Sequence, residues 1–226
     1  VVPRGSYDLV KTIERSTEIP VLGHSEGVCH LYVHESANLK KALAVTLDSK
    51  LQFPAACNSI ETLLLDAKIA PAFLKLIANS EMKLLGCERT RKILPEIDKV
   101  ESWRVEHSAP ILSIKIVDSL DDAIEHVNRY GSHHTDAICA KDKKAITEFT
   151  LRVDSASVFA NVSTRFADGY RLGLGAEVGI STSKLHARGP MGVEGLLTTK
   201  FVLSGDAIVA PYADGAKKFR HKEMKP

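Results

Sequence analysis

Apolar residues follow two spacings along the chain: short blocks of adjacent or alternating apolar positions, and longer stretches with an apolar residue every three or four positions. The first spacing is typical of strands and the second of helices. Strands are predicted at 19–24, 28–34, 61–66, 82–88, 111–118, 136–140 and 155–162. Val1 and Val2 are interpreted as the end of a further strand.

Helices are predicted between these strands, at 7–15, 37–52, 70–80, 90–97, 120–130 and 143–153. Ser6 is the expected N-cap of the first helix, and Gly131 is expected to close the fifth. Residues 58–66 are ambiguous, because Asn58 and Glu61 have the spacing of a helical capping box. The surrounding alternation favours a strand there. Repeated β-α-β-α order predicts an α/β fold with a mainly parallel sheet that helices cover on both faces.

Composition and charge narrow the class of protein. The chain has 226 residues, with 30 Lys and Arg against 28 Asp and Glu. This balance argues against a nucleic acid or a membrane surface as the main partner. No apolar run of about 18 residues and no signal-peptide pattern is present, so no membrane span is predicted. Four cysteines without CxxC spacing indicate free thiols in a reducing compartment.

Cys57 is the candidate nucleophile. It lies in a loop between a predicted helix and a predicted strand, among small residues that leave room for a substrate carbonyl. Backbone N–H groups of such a turn can stabilise a thiolate and a developing oxyanion. In parallel sheets ligands bind at loops beyond the strand ends, where Cys57 is expected to lie. Cys29 and Cys139 fall inside strands and are interpreted as core residues, and for Cys87 a structural role is favoured.

The histidines raise two other possible chemistries, a metal site and a cysteine hydrolase. His30 and His34 are four residues apart, but in a strand that spacing separates them by roughly 13 Å. Ligands of one zinc ion must all lie about 2 Å from it, so no metal site is predicted. A cysteine hydrolase is an alternative, because any of the nine histidines could act as the base.

Residues 161–182 are rich in glycine. Their GxGxxxG spacing is one residue too long for the dinucleotide fingerprint, so an ordinary flexible loop is favoured from the spacing alone. Arg165 follows a predicted buried strand, where an isolated guanidinium suits a carboxylate or a phosphate. The loop at 184–192 adds Lys184, His186 and Arg188. Cationic loops that face a thiol indicate a substrate that carries negative charge and that the thiol can attack.

Five segments carry a family resemblance, namely "FPAACNSIETLL", "NRYGSHHTDAI", "NVSTRFADG", "GLGAEVGIST" and "KLHARGPMG". Together, and in this order, they closely resemble the γ-glutamyl phosphate reductase family, the glutamate-5-semialdehyde dehydrogenases of the aldehyde dehydrogenase superfamily. Members occur alone or as the C-terminal half of a bifunctional proline-synthesis enzyme, and the chain resembles their C-terminal catalytic portion. The resemblance implies an aldehyde-dehydrogenase-like catalytic domain.

The resemblance also implies an activity. It is the NADPH-dependent reduction of L-glutamate 5-phosphate to L-glutamate 5-semialdehyde and phosphate, a step of proline biosynthesis. Cys57 matches the family's nucleophile, whose thiolate attacks the acyl phosphate to form a thioester that accepts hydride. The implied substrate-binding residues are Asn58, Thr164, Arg165, His186 and Arg188.

NADPH contacts are implied at two places. The opening "VVPRGSYDLV" resembles the family's own segment beside the cofactor, so Arg4, Gly5 and Ser6 are expected to meet a phosphate at a helix N-terminus. Glu106 stands where the superfamily usually has a glutamate that holds the nicotinamide ribose, although the residues after it depart from the usual pattern.

Four segments are expected from the resemblance. These are a C-terminal remnant of the NADPH-binding domain at 1–26, a catalytic domain at 27–190, an oligomerisation strand region at 191–205, and a C-terminal tail at 206–226. The chain by itself is expected to be inactive. The alternative is a non-catalytic fragment or oligomerising module that lacks cofactor binding.

The expected partners are the small-molecule substrate, glutamate 5-phosphate, and further copies of the chain in a homo-oligomer, with no nucleic acid and no membrane. The expected location is the cytoplasm, or the mitochondrion if the chain is part of a bifunctional enzyme.

Overall fold

The computed structural model describes residues 1–5, 7–24, 26–206 and 208–220. Ser6, predicted as a helix cap and a cofactor contact, and residues 221–226 of the predicted tail lie outside these ranges. The helices are α1 Tyr7–Ser16, α2 Leu39–Leu51, α3 Ala70–Ile77, α4 Glu88–Ile93, α5 Leu120–Tyr130, α6 Lys143–Arg152 and α7 Ala210–Ala213. The strands are β1 Cys29–Val33, β2 Ile60–Asp66, β3 Lys83–Gly86, β4 Asp98–Lys99, β5 Ile111–Val117, β6 Thr135–Cys139, β7 Ser157–Ala160, β8 Gly179–Ser181 and β9 Gly189–Met191.

Seven strands form one sheet in the order β4-β3-β5-β2-β1-β6-β7, and every neighbouring pair is parallel. β8 and β9 form a separate antiparallel pair. The predicted α/β fold with a mainly parallel sheet is therefore confirmed, including the strand at 61–66 that competed with a helix.

The centre of the sheet is buried on both faces. Every residue of β1 and β2 is buried, and successive side chains of a strand point to opposite faces. Leu31 and Val33 therefore belong to one apolar cluster, whereas Tyr32 belongs to another. Cys29 and Cys139 lie in the first cluster, which confirms that they are core residues.

Side-chain caps fix where three of the helices begin. The side chain of Asn38 accepts a hydrogen bond from the first turn of α2, and Ser119 and Asp142 do the same for α5 and α6. Each cap satisfies an amide that has no partner inside its helix. Gly131 follows the last residue of α5, as predicted.

The strand predicted at 19–24 is wrong, and so is the strand end predicted at Val1 and Val2. Residues 17–24 form a loop, in which the amide of Leu22 donates a 2.8 Å hydrogen bond to the carbonyl oxygen of Val1. Ile19 is 62% exposed, and Pro20 has no N–H to give to a strand ladder. The apolar run there is short and does not face the core.

The chain divides into two compact units, Val1–Leu196 and Leu197–Pro226. The first contains the sheet, and the second contains α7. Residues 197–204 have no regular secondary structure, and a strand that pairs across subunits would have no partner within one chain. The oligomerisation strand and the four-segment division stay predictions. None of the helices that the structure describes combines the length and the apolar content needed to cross a bilayer.

Candidate active site

Cys57 lies at the amino-terminal edge of the parallel sheet, three residues before β2 begins. This edge is opposite to the carboxyl-terminal edge where open α/β sheets usually bind their ligands, so the prediction that Cys57 lies beyond the strand ends is wrong: its loop leads into β2. Because all strands of a parallel sheet start at the same edge, loops that are distant in sequence meet there. Gly27 precedes β1, Glu106 precedes β5, and His134 comes directly before β6.

The loop of Cys57 is held against the residues that precede β1. A β-carbon built on Gly27 would lie 2.1 Å from the carbonyl oxygen of Cys57, so only glycine fits at that position. The same carbonyl oxygen accepts a hydrogen bond from the thiol of Cys29 at 3.2 Å. The amide of Gly27 donates a 3.0 Å hydrogen bond to Glu106 Oε2, which brings that carboxylate to the same edge.

Burial and two nearby carboxylates favour the protonated form of the Cys57 thiol. Burial raises the pKa of the Cys57 thiol to about 11, and the carboxylates of Glu106 and Glu177 act in the same direction. The backbone N–H of Cys57 and the guanidinium of Arg165 act in the opposite direction. The half-buried sulfur is therefore a neutral thiol at neutral pH.

Arg165 belongs to a 3₁₀ turn, Thr164–Phe166, that follows β7. Its side chain is buried and its Nε donates a 2.8 Å hydrogen bond to Gln52 Oε1. Among the described residues no other hydrogen bond of the guanidinium is found, so its two terminal NH₂ groups remain for an anion. A cavity of about 190 Å³ adjoins it, lined by Asp48, Gln52, Arg165, Phe166 and Arg171.

Asn58 joins the loop of Cys57 to the end of this 3₁₀ turn, and Thr164 joins the turn to α2. Asn58 Nδ2 donates a 2.8 Å hydrogen bond to the carbonyl oxygen of Ala167, and the amide of Thr164 donates to Ser49 Oγ at 3.2 Å. Asn58 Oδ1 and Thr164 Oγ1 are buried without a hydrogen-bond partner in the described part of the chain. Buried oxygen atoms of this kind are suited to a ligand that donates hydrogen bonds.

Two of the predicted site residues make contacts elsewhere, and a third is exposed. His186 is exposed, and Arg188 Nη2 forms a 3.0 Å ion pair with Asp154, which also pairs with Lys184. Arg4 Nη1 donates to the carbonyl oxygen of Val178 at 3.2 Å. Their roles toward substrate and cofactor stay predictions, as do those of the residues that surround Cys57.

Two histidines next to Cys57 were not predicted from the sequence. One ring nitrogen of His24, one of His134 and the sulfur of Cys57 all lie within 4.8 Å of one another. His134 is buried, and this burial, with a smaller effect of His24, lowers its pKa to about 3, so the ring is neutral. His24 ends the run "IPVLGH" and His134 lies in the polar segment "GSHHTD", and neither pattern indicates that the two rings meet beside Cys57.

Glu177 is the third residue of the site that was missed. One of its carboxylate oxygens, Oε2, accepts a 2.9 Å hydrogen bond from the amide of Gly169, and its charge acts on the thiol of Cys57. It lies in the glycine-rich stretch "GLGAEVGIST", which carries the family resemblance but does not by itself indicate a role for the carboxylate.

Comparisons with known proteins test the resemblance. Residues 96–202 match the aldehyde dehydrogenase family. The γ-glutamyl phosphate reductase of Nostoc sp. (strain PCC 7120) is 52% identical over 99% of this chain and 54% of its own length. This chain thus spans about half the length of the curated relatives it matches.

Solved structures of γ-glutamyl phosphate reductases have the same fold as this chain. The crystal structure of γ-glutamyl phosphate reductase from Thermotoga maritima is 40% identical, with a TM-score of 0.87 over 92% of this chain and 52% of that one. The crystal structure of the enzyme from Saccharomyces cerevisiae is 34% identical, with a TM-score of 0.53 over 76% of this chain and 45% of that one. The predicted resemblance is confirmed: by sequence and by fold, the chain is a relative of the γ-glutamyl phosphate reductases in the aldehyde dehydrogenase family.

Proposed function

We propose that this chain supplies the nucleophile and the anion-binding residues of an enzyme that reduces L-glutamate 5-phosphate to L-glutamate 5-semialdehyde and phosphate. The observation that carries the proposal is the half-buried Cys57 thiol, held by backbone contact with Gly27 beside the buried guanidinium of Arg165. The similarity to γ-glutamyl phosphate reductases over 99% of the chain supports the substrate.

The first chemical step is attack of the Cys57 sulfur on the acyl carbon. A carbon–sulfur bond forms, the bond between that carbon and the phosphate oxygen breaks, and phosphate leaves with the electron pair. The product is a thioester on Cys57. Because burial raises the pKa of the thiol to about 11, its proton must pass to a base, and a ring nitrogen of His24 lies within 4.8 Å of the sulfur.

Arg165 is the proposed anion-binding residue. Its terminal NH₂ groups match the planar geometry of a carboxylate or a phosphate, and its burial strengthens the interaction because water does not screen it. The unpartnered oxygens of Asn58 and Thr164 are suited to the ammonium group of the glutamyl moiety. Positive charge on one side and hydrogen-bond acceptors on the other would orient the acyl phosphate toward the sulfur.

NADPH is the proposed cofactor, and the residues present fit it. The exposed guanidinium of Arg4 and the start of α1 both favour an anion such as a nucleotide phosphate. Glu106 is half-buried beside Gly27, and its carboxylate is suited to the ribose hydroxyls of the nicotinamide half. When bound, NADPH supplies the hydride that reduces the acyl group to the aldehyde.

The test is the acylation half-reaction, which needs no cofactor. The full chain is mixed with glutamate 5-phosphate, and released phosphate and the intact mass are followed. We expect a single acyl adduct, mapped to Cys57, and an equal amount of phosphate. Cys57→Ala should give no adduct and no phosphate beyond that released by the substrate without protein, whereas Cys87→Ser should give both products. An adduct at another residue, or phosphate release above that background without Cys57, would refute the proposal.

A further inference from the structure

Two imidazoles and a thiol converge at the amino-terminal edge of the sheet. We propose that His24, Cys57 and His134 form a binding site for a thiophilic divalent cation, with Zn²⁺ as the best fit, and that the bound ion sequesters the Cys57 sulfur. The site depends only on these three ligands, not on the reaction proposed above. It was not predicted from the sequence, because the three residues come from loops that precede different strands.

The separation of the three ligand atoms is close to what zinc requires. All lie within 4.8 Å of one another, and a tetrahedral ion with ligands at about 2.0–2.3 Å sets them about 3.3–3.8 Å apart. Cys57 is held by its contact with Gly27, and His134 directly precedes β6. His24 lies in the loop between α1 and β1, and adjustments of about an ångström bring ligand atoms within 4.8 Å of one another to the separation that zinc requires.

The hydrogen bonds of the two rings leave a nitrogen of each available. His24 Nδ1 lies 3.2 Å from the carbonyl oxygen of Ile180, which only accepts, so Nδ1 carries the proton and Nε2 the lone pair. His134 Nδ1 lies 2.8 Å from Thr135 Oγ1. Its Nε2 is buried and has no hydrogen-bond partner among the described residues. Ligating histidines in proteins are oriented by bonds of this kind on the other nitrogen.

The ligand set selects the ion. One thiolate and two neutral imidazoles suit Zn²⁺, whereas Mg²⁺ and Ca²⁺ take oxygen ligands. The carboxylates of Glu106 and Glu177, which act on the sulfur, add negative potential that favours a cation. Binding replaces the thiol proton with the metal, so one proton is released to solvent for each ion bound. Three protein ligands leave the fourth tetrahedral position open for water.

Sequestration of the sulfur has a functional consequence. A thiolate whose lone pair is shared with zinc is a weaker nucleophile toward an acyl carbon. Zn²⁺ should therefore protect Cys57 from alkylating reagents, and a chelator should restore the reactivity. This readout concerns the thiol itself, so it does not require that the chain reduce any substrate.

Co²⁺ is the probe for the test, because a thiolate bound to Co²⁺ gives a charge-transfer absorption in the near ultraviolet. The full chain is titrated with Co²⁺ and then with Zn²⁺. We expect the band to saturate at one Co²⁺ per chain and to disappear as Zn²⁺ displaces the cobalt. Cys57→Ser should abolish the band. His24→Gln and His134→Gln should each weaken Co²⁺ binding at least about tenfold, since even the outer-shell partners of metal ligands contribute that much.

Cys87→Ser is the matched control, because it removes a half-buried thiol away from the three ligands. Its band and its affinity should be those of the unsubstituted chain. Circular dichroism on each variant separates loss of the site from loss of the fold. A wild-type chain without the band at excess Co²⁺ would overturn the proposal. So would a folded His134→Gln variant with undiminished affinity.

Discussion

Gly27 and Cys57 are in backbone contact, and the position of the candidate nucleophile depends on it. A β-carbon on Gly27 would lie 2.1 Å from the carbonyl oxygen of Cys57 and 2.5 Å from its Cα. Both atoms are backbone, so no side-chain rotation can relieve the overlap. One of the two loops would have to move.

Gly27→Ala should therefore displace Cys57. Overpacking of this kind costs about 1–3 kcal/mol of unfolding free energy, and a shift of about an ångström at a reacting atom lowers its rate by roughly a hundredfold. Denaturant unfolding measures the first effect, and the acylation half-reaction measures the second. Gly23→Ala is the control, because the nearest atom there is in the Pro3 side chain, 3.2 Å away. Equal effects of the two substitutions would show that the contact does not position Cys57.

The carboxylate of Glu106 should suppress ionisation of the Cys57 thiol. A negative charge disfavours the thiolate, so Glu106→Gln should lower the pKa of Cys57 below its value of about 11 and raise the thiolate fraction at neutral pH. Each unit of pKa is worth about a factor of ten in that fraction. The glutamine can still accept the hydrogen bond from Gly27, so the loop should keep its position.

The measurement is the rate of alkylation of Cys57 by iodoacetamide as a function of pH. We expect faster alkylation at neutral pH in Glu106→Gln and in Glu177→Gln. Arg165→Gln should act in the opposite direction, because the guanidinium favours the thiolate. A slower reaction in Glu106→Gln would contradict this electrostatic account of the site.

The sequence predicts most of the sheet, because its central strands are local apolar runs. The strand predicted at 19–24 was wrong because a short apolar run containing Pro20 cannot be distinguished from a strand by hydrophobicity alone. Cys57 was identified by its small neighbours and by the family motif around it. His24 and His134 were missed because parallel pairing of β1 with β2 and β6 brings their loops together. That proximity comes from the fold, and no spacing in the sequence encodes it.

Cys87 should be the most readily ionised of the four thiols. Burial opposes its ionisation, but hydrogen bonds from the Thr90 side chain and from backbone groups outweigh this effect, so the pKa of Cys87 is lowered. Burial raises the pKa of Cys29, Cys57 and Cys139. Limiting iodoacetamide followed by peptide mass spectrometry should find Cys87 labelled first.

Thr90→Ala is the specific test of this explanation. The Cys87 sulfur lies 3.2 Å from Thr90 Oγ1, and loss of that hydroxyl should slow the labelling of Cys87 at neutral pH. Labelling of Cys139, which is in the core, should stay slow in both proteins. If Cys87 reacted no faster than Cys139, its hydrogen bonds would not be stabilising the thiolate.

Lys50 and Glu61 form an ion pair with a 2.8 Å contact, in which the two side chains are 0% and 1% exposed. Burial lowers the pKa of Lys50 and raises the pKa of Glu61 to about 7, so each charge depends on its partner. Removal of one partner leaves the other charge buried and uncompensated. Lys50→Met and Glu61→Leu should each lower the unfolding free energy by about 3–5 kcal/mol.

The double variant Lys50→Met/Glu61→Leu should be more stable than either single variant, because no unpaired charge remains in the core. The exposed pair of Lys92 and Glu88, with side chains 71% and 82% exposed, provides the comparison. Lys92→Met should change the unfolding free energy much less than Lys50→Met, because water screens the exposed pair. Denaturant titrations of the five proteins give the coupling energy directly. If the double variant were no more stable than the two single variants, the packing of these side chains, and not their charges, would account for their contribution to the unfolding free energy.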